Sequence, residues 1–212
     1  MQIQIGRASE GAFTLSDIHA MHRLRHDVFR ERLGWEVNHE GGLERDDFDS
    51  LDPVYLLAKG DDGDVQACWR LLPTTGPNML RDTFPQTLHG SAAPEGEAVW
   101  ELSRFAMGRH AGGNSRFCAA ALTLMEAIVA WGLDSGLQRY VTVTTVAIER
   151  LMRTLGIRVQ RLGAPVTIGI ERTVALDITL DADTLKALRE RLVAQQHALD
   201  AALASEPLPL AA

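Results

Sequence analysis

Between residues 17 and 33 the apolar positions Ile18, Met21, Leu24, Val28, Phe29 and Leu33 recur at helical spacing. They predict an amphipathic first helix, with Ser16 or Asp17 as N-cap and Gly34 as the stop. Residues 36–52 are rich in Gly, Asp, Glu and Asn and read as a long loop too polar to pack as a core element. Residues 54–59 and 65–72 read as two strands joined by the turn Gly60-Asp61-Asp62-Gly63-Asp64. Residues 74–90 hold only short pieces punctuated by Pro77, Pro85 and Gly90, and a strand follows at 100–105. Residues 115–132 carry apolar side chains at helical spacing with few charges, which predicts a buried helix. Residues 140–146 are β-branched and predict a central strand, 147–155 a short helix closed by Gly156, and 166–180 one or two more strands. A last helix is expected over 181–199, with Leu185, Leu188, Leu192 and Val193 as its apolar side.

This order mixes a hairpin with crossover helices and argues for an α/β sandwich around a mixed sheet. The 212 residues, 46% of them hydrophobic, suit one domain over 1–200, with 201–212 as a mobile tail. A net charge of −7 and a pI near 5.5 speak against a general nucleic-acid or anionic-membrane binder. Cys68 and Cys118 stand fifty residues apart without a CxxC or a His/Cys cluster, so neither a metal site nor a disulfide framework is suggested. The first seven residues lack the apolar stretch of a signal peptide, and no apolar run approaches the roughly 20 residues that span a bilayer. A soluble, cytoplasmic protein with reduced thiols is the expectation.

The chemistry is concentrated in Trp100-Glu101-Leu102-Ser103-Arg104-Phe105, where a carboxylate and a guanidinium sit inside an apolar strand. Half buried there, Glu101 would lose hydration and become a general base near neutral pH; a structural ion pair with Arg104 is the competing reading. Three more groups need explaining: Arg25 and Phe29, four apart on one helix face with Trp35 just beyond; Asp46, Phe48 and Asp49 in the acidic loop; and Arg70 inside a strand. Singly, each has an ordinary structural explanation.

Together, Arg25, Phe29, Trp35, Asp46, Asp49, Arg70, Glu101 and Arg104 resemble, in order and interval, the signature of the LuxI-type acyl-homoserine-lactone synthases of quorum sensing. The likeness continues through Thr74-Thr75-Gly76-Pro77, Thr83-Phe84-Pro85, Val141-Thr142-Val143-Thr144-Thr145 and Gly169-Ile170-Glu171-Arg172. It implies a three-layer α-β-α sandwich with a mixed, mostly antiparallel sheet, similar to the GCN5-related N-acetyltransferases. It also implies that S-adenosylmethionine supplies an amine, that acyl carrier protein presents an acyl thioester, and that an acyl-homoserine lactone and methylthioadenosine are the products. No metal and no cofactor is then needed, S-adenosylmethionine being a substrate.

Within that resemblance Glu101 is the base and Arg104 fixes either Glu101 or the methionyl carboxylate. Phe29, Trp35, Asp46, Arg104 and Phe105 hold S-adenosylmethionine, the aromatic faces receiving its adenine and its sulfonium. Arg25, Asp49 and Arg70 form an ion-pair network that orders the loop. Leu122, Met125, Thr142, Thr144, Met152, Leu155 and Leu188 fall where the family forms its acyl pocket, and the closest resemblance is to synthases of long-chain 3-oxo products. Arg150, Arg153, Arg158 and Arg161, in a basic stretch, are the expected docking patch for the acidic carrier protein. The alternative is a GCN5-like N-acetyltransferase using acyl-coenzyme A, whose pyrophosphate loop the segment 109–114 matches only in part; a binding module without chemistry is a third reading.

Overall fold

In the computed structural model, residues 1–108 and 114–204 are described, with side chains at 1–108 and 119–198. The segment 109–113, the side chain of Cys118 and residues 205–212 lie outside them.

Strands β4 (Val54–Lys59) and β5 (Val65–Pro73) are buried almost continuously rather than at alternate positions, so both faces of the sheet must be covered. Three layers result, and the sheet is the middle one. Its strand order is β1 (Gln2–Arg7), β4, β5, β6 (Val99–Met107), β7 (Arg139–Thr145), β10 (Glu171–Thr179) and β8 (Val159–Arg161), with β9 (Val166–Ile168) also on β10. Every pairing is antiparallel except β6 with β7, which runs from Val99↔Arg139 only as far as Leu102↔Thr142.

One face is covered by α1 (Leu15–His26), whose Met21 and Leu24 pack with Val28 and Phe29 on Tyr55, Leu57, Cys68 and Ala106. The other carries α3 (Asn114–Asp134), α4 (Val146–Thr154) and α5 (Ala182–Ala204). There Leu124, Met125, Ile128, Met152 and Leu188 meet Leu56, Trp69, Leu71, Leu102 and Leu176. Among the described residues no helix is long and apolar enough to cross a membrane.

Several boundaries differ from the sequence reading. The first helix is capped by Thr14, not Ser16 or Asp17: the Thr14 hydroxyl accepts from the Asp17 amide at 3.1 Å and the Asp17 carboxylate accepts from the Thr14 amide at 2.9 Å. It then continues as a π-helical turn, Asp27–Arg32, before Gly34 ends it at φ +67°. The loop 36–52 does pack. It forms a small hairpin, β2 (His39–Glu40) and β3 (Leu43–Glu44), and a 3-10 turn, Asp47–Leu51, and it buries Glu44 and Asp49 completely or nearly so. Strands β1 and β8 were not expected at all, and α5 extends five residues past the predicted end at 199.

Leu176 is fully buried in β10 between Thr142 and Arg161. Leu176→Ala should cost about 2–5 kcal/mol, read as a lower midpoint of urea unfolding with an unchanged slope.

Candidate active site

Arg25 on α1, Arg70 on β5 and Arg104 on β6 converge on the sheet face beneath the 36–52 loop, and the loop answers them with Glu44, Asp46 and Asp49. Arg25 grips Asp49 with both terminal nitrogens, at 2.8 and 2.9 Å, and gives Nε to Glu44. Arg70 binds Asp46 through both terminal nitrogens and reaches Asp49 Oδ1 at 2.9 Å. Arg104 donates Nε to Glu44 at 3.0 Å and pairs with Asp46 at 2.7 Å. Three cations therefore face three anions, and every loop carboxylate bridges two arginines.

The local backbone explains the convergence. Asp46 and Asp49 close a reciprocal cap on the 3-10 turn, and the Tyr55 hydroxyl donates to Asp49 at 2.7 Å. Arg104 sits in a β-bulge, where it and Phe105 together oppose Trp69, and its φ of +55° is a strained value for a residue with a side chain. The bulge turns Arg104 toward the loop. It also sends Phe105 to the opposite face, against Trp69 at 4.7 Å between ring centroids, so Phe105 does not join Phe29, Trp35 and Asp46.

Arg104 does not pair with Glu101, so the ion-pair reading of that strand is corrected. Glu101 is 1% exposed on β6, and its partners are two backbone amides of the short helix α2 (Met79–Asp82): Met79 at 3.0 Å and Leu80 at 2.6 Å. With the arginines committed to the loop, burial dominates and pushes the carboxyl up to about 7, against the pull of the two amides and then of Arg70 and Arg104. Asp49 goes the other way. Burial opposes its ionisation, but the Arg25 and Arg70 guanidiniums hold it far below the usual carboxylate range.

Phe29 is buried and stacks in parallel on Trp35, 5.3 Å between centroids and 2° between planes, while Trp35 stays 36% exposed. The Arg104 guanidinium lies 5.7 Å from the Phe29 centroid. Across the sheet, Leu122, Met125, Met152 and Leu188 are buried in one cluster, with Leu155 packed against it. Thr142 donates its hydroxyl to the Leu102 carbonyl at 2.8 Å, and Thr144 is half-buried two residues on. The expected acyl residues are thus brought together as core. In the basic stretch, Arg153 and Arg161 both pair with the buried Glu149, and Arg158 pairs with Asp181; Arg150 is exposed with no acidic partner among the described residues.

Glu44, His22 and Met79 had not been singled out. Glu44 ends the stretch Gly41-Gly42-Leu43-Glu44, whose paired glycines, both at positive φ, are a tight-turn signal inside the supposed loop. His22 Nδ1 donates to the Glu44 carbonyl at 2.8 Å, and burial followed by the Arg25 charge lowers its pKa below the ordinary imidazole value. Met79 follows Pro77-Asn78, a helix-start signal.

The autoinducer synthase profile matches residues 12–188, a span that contains the whole arginine–carboxylate cluster and Glu101. The chain belongs to the autoinducer synthase family. It is 43% identical over 199 residues to the acyl-homoserine-lactone synthase of Pseudomonas aeruginosa, covering 93% of this chain and 98% of that one. To the acyl-homoserine-lactone synthase of Aliivibrio fischeri it is 34% identical over 191 residues, covering 89% and 99%. The crystal structure of the synthase LasI superposes with a TM-score of 0.82 at 45% identity, covering 88% of this chain and 93% of that one. An N-acetyltransferase from Lactobacillus plantarum, at 14% identity and a TM-score of 0.58 over 85% and 100%, shares the fold alone. This autoinducer synthase is accordingly an acyl-homoserine-lactone synthase, an acyltransferase on an acetyltransferase-like sandwich.

In this synthase, removing Arg25 strips Asp49 of its bidentate partner and Glu44 of one of two. Arg25→Ala should cost about 3–5 kcal/mol. Because the folded pKa of Asp49 lies below its ordinary 3.8, its contribution is present above that value and is lost as pH falls through the folded pKa. The mutant's thermal melting should therefore depend less steeply on pH below about 4, a difference calorimetry across pH 2–5 would read.

Proposed function

We propose that the synthase acylates the α-amine of S-adenosylmethionine with a 3-oxo, medium- to long-chain acyl group from acyl carrier protein, then closes the lactone and releases methylthioadenosine. The observation carrying this reading is Glu101: a carboxylate buried in an apolar strand, in no ion pair among the described residues, poised near neutrality. A group that titrates near 7 accepts a proton from a substrate ammonium and is regenerated at physiological pH.

The free amine attacks the thioester carbonyl; a C–N bond forms, the thioester C–S bond breaks, and the thiol leaves with the proton. The methionyl carboxylate then attacks its own γ-carbon, the sulfonium C–S bond breaks, and the neutral thioether departs. Holding both ends of the methionyl chain close supplies much of the rate of this second step. Neither step calls for redox or Lewis-acid chemistry, so S-adenosylmethionine serves as substrate and no cofactor is assigned. Trp35, stacked on Phe29 but partly exposed, is positioned to receive the adenine, and the buried cluster with Leu122, Met125, Met152, Leu155 and Leu188 is assigned to the acyl chain, Thr142 and Thr144 facing its 3-position. Related structures support the substrates. TofI was solved with methylthioadenosine and an inhibitor, at 35% identity and a TM-score of 0.77 over 89% of this chain and 97% of that one.

For the carrier protein, Arg150, Arg153 and Arg161 against the single Glu149 leave a net positive patch, whereas Arg158 is neutralised by Asp181. Coenzyme A as donor is the second reading. It is favoured by BjaI, a synthase described as CoA-dependent and solved with SAM and isopentyl-CoA, 29% identical with a TM-score of 0.82 over 90% and 88%.

Mass spectrometry of spent medium from a heterologous host making this chain should show the homoserine-lactone fragment ion, with parent masses of 3-oxo species. Purified enzyme should turn over acyl carrier protein thioesters faster than the matching coenzyme A thioesters; the reverse order selects the second reading. The acylation rate should rise with pH through about 7 as Glu101 ionises. Glu101→Gln should remove that limb and lower turnover by about 10²–10⁴-fold. Retention of the limb in the mutant would place the titrating group elsewhere.

A further inference from the structure

Nearly every guanidinium nitrogen of the cluster ends on an oxygen. Arg25 places all three on Glu44 and Asp49, and Arg70 reaches Asp46, Asp49 and the Ser103 hydroxyl. Arg104 gives Nε to Glu44 and Nη2 to Asp46. Its Nη1 is the exception: its partner is the Met79 sulfur, at 3.3 Å. Arg70 Nη2 points at the same sulfur from 3.1 Å.

A thioether is a weak acceptor, so in this buried position Arg104 Nη1 is poorly satisfied, while Arg70 Nη2 divides its donation between the sulfur and Asp46. Two arginines converging on one point describe the seat of a carboxylate better than that of a sulfur. The seat also adjoins the base, since the backbone amide of the same Met79 holds Glu101 Oε2 at 3.0 Å. An α-amino acid carries its amine and its carboxylate on one carbon. A carboxylate bound at this point leaves its amine beside Glu101.

We propose that Met79 is a placeholder and positioning residue for acyl transfer: its thioether fills the seat of the S-adenosylmethionine α-carboxylate and swings aside when that substrate binds. The assignment rests on the reading above that S-adenosylmethionine is the amine donor. Methionine suits the task, because its three rotatable bonds let an unbranched side chain leave a packed site without backbone movement. The charged groups around Glu101 are Arg70 from β5 and Arg104 from β6, balanced by Glu44, Asp46 and Asp49 of the loop. Arg81 and Asp82 of α2 form a separate, part-exposed pair, and Val141 on β7 is apolar.

Calorimetric titration of the full-length wild type, Met79→Gln and Met79→Leu with S-adenosylmethionine, and separately with methylthioadenosine, tests this. Methylthioadenosine has no carboxylate. Met79→Gln puts a strong oxygen acceptor permanently on the two arginines and should weaken S-adenosylmethionine about tenfold. Met79→Leu removes the competing acceptor and should tighten it by about threefold. Both should leave the methylthioadenosine affinity within about twofold and the pH limb near 7 in place, the amide on Glu101 being backbone. Shifts of both ligands together, shifts of the same sign in the two variants, or no shift would overturn the placeholder. Should Met79→Gln fail to fold, an unchanged or weakened affinity in Met79→Leu overturns it alone. A wild type that binds neither nucleoside overturns the parent reading as well.

Discussion

Burying Arg25, Arg70 and Arg104 against a sheet removes three guanidiniums from water, at an effective penalty of about several kcal/mol for each ion. The structure tolerates this because the loop between α1 and β4 supplies one carboxylate per guanidinium, each shared between two of them. The dependence is mutual. Without the arginines the loop has two buried acids and no reason to lie on the sheet; without the loop the arginines have no counter-charge. Pairing of this kind fixes a conformation more than it adds stability, and what it fixes is the floor of the site.

The same neutrality explains Glu101. Were any arginine left uncommitted, it would pair with the nearest carboxylate and hold it ionised far below neutral pH, as Arg25 does to Asp49. Because all three are engaged with the loop, Glu101 hydrogen-bonds to two amides and feels Arg70 and Arg104 only as more distant charges, and burial outweighs both. The two carboxylates consequently contribute to stability in opposite windows. The raised pKa of Glu101 gives a contribution that is full below its ordinary 4.5 and is lost as pH rises through about 7, whereas that of Asp49 is full above 3.8 and lost below. Ionising Glu101 weakens the fold, the opposite of what ionising Asp49 does.

The sequence revealed the sheet's inner strands and the helices that cover them because those segments have long, regular apolar patterns. It did not reveal β1 or β8, which are short, lie toward the sheet's edges and expose much of their surface. Among the candidate site residues, Arg25, Asp46, Asp49, Arg70 and Arg104 meet in one ion-pair cluster, with Phe29 beneath the Arg104 guanidinium and Trp35 stacked on Phe29. Phe105 fell on the wrong face because a bulge at Arg104 breaks the alternation on which facing is judged, and nothing in the composition of that strand announces it. Glu44 was overlooked for a different reason: seven acids between residues 36 and 52 look like a solvated surface.

Fold alone is shared with an acetyltransferase at 14% identity and therefore carries no chemistry. The chemistry has to be sought in particular segments, and in this chain the acidic segment turns Glu44, Asp46 and Asp49 inward as internal counter-charge while Glu36, Glu40, Asp47 and Asp52 remain outside or at the rim. Because three arginines are buried with those three acids, the cluster is electrically neutral and the net charge of −7 falls on the rest of the molecule. The cluster therefore contributes geometry rather than field: it holds the three guanidiniums on the loop, and Glu101 keeps two backbone amides as its hydrogen-bond partners.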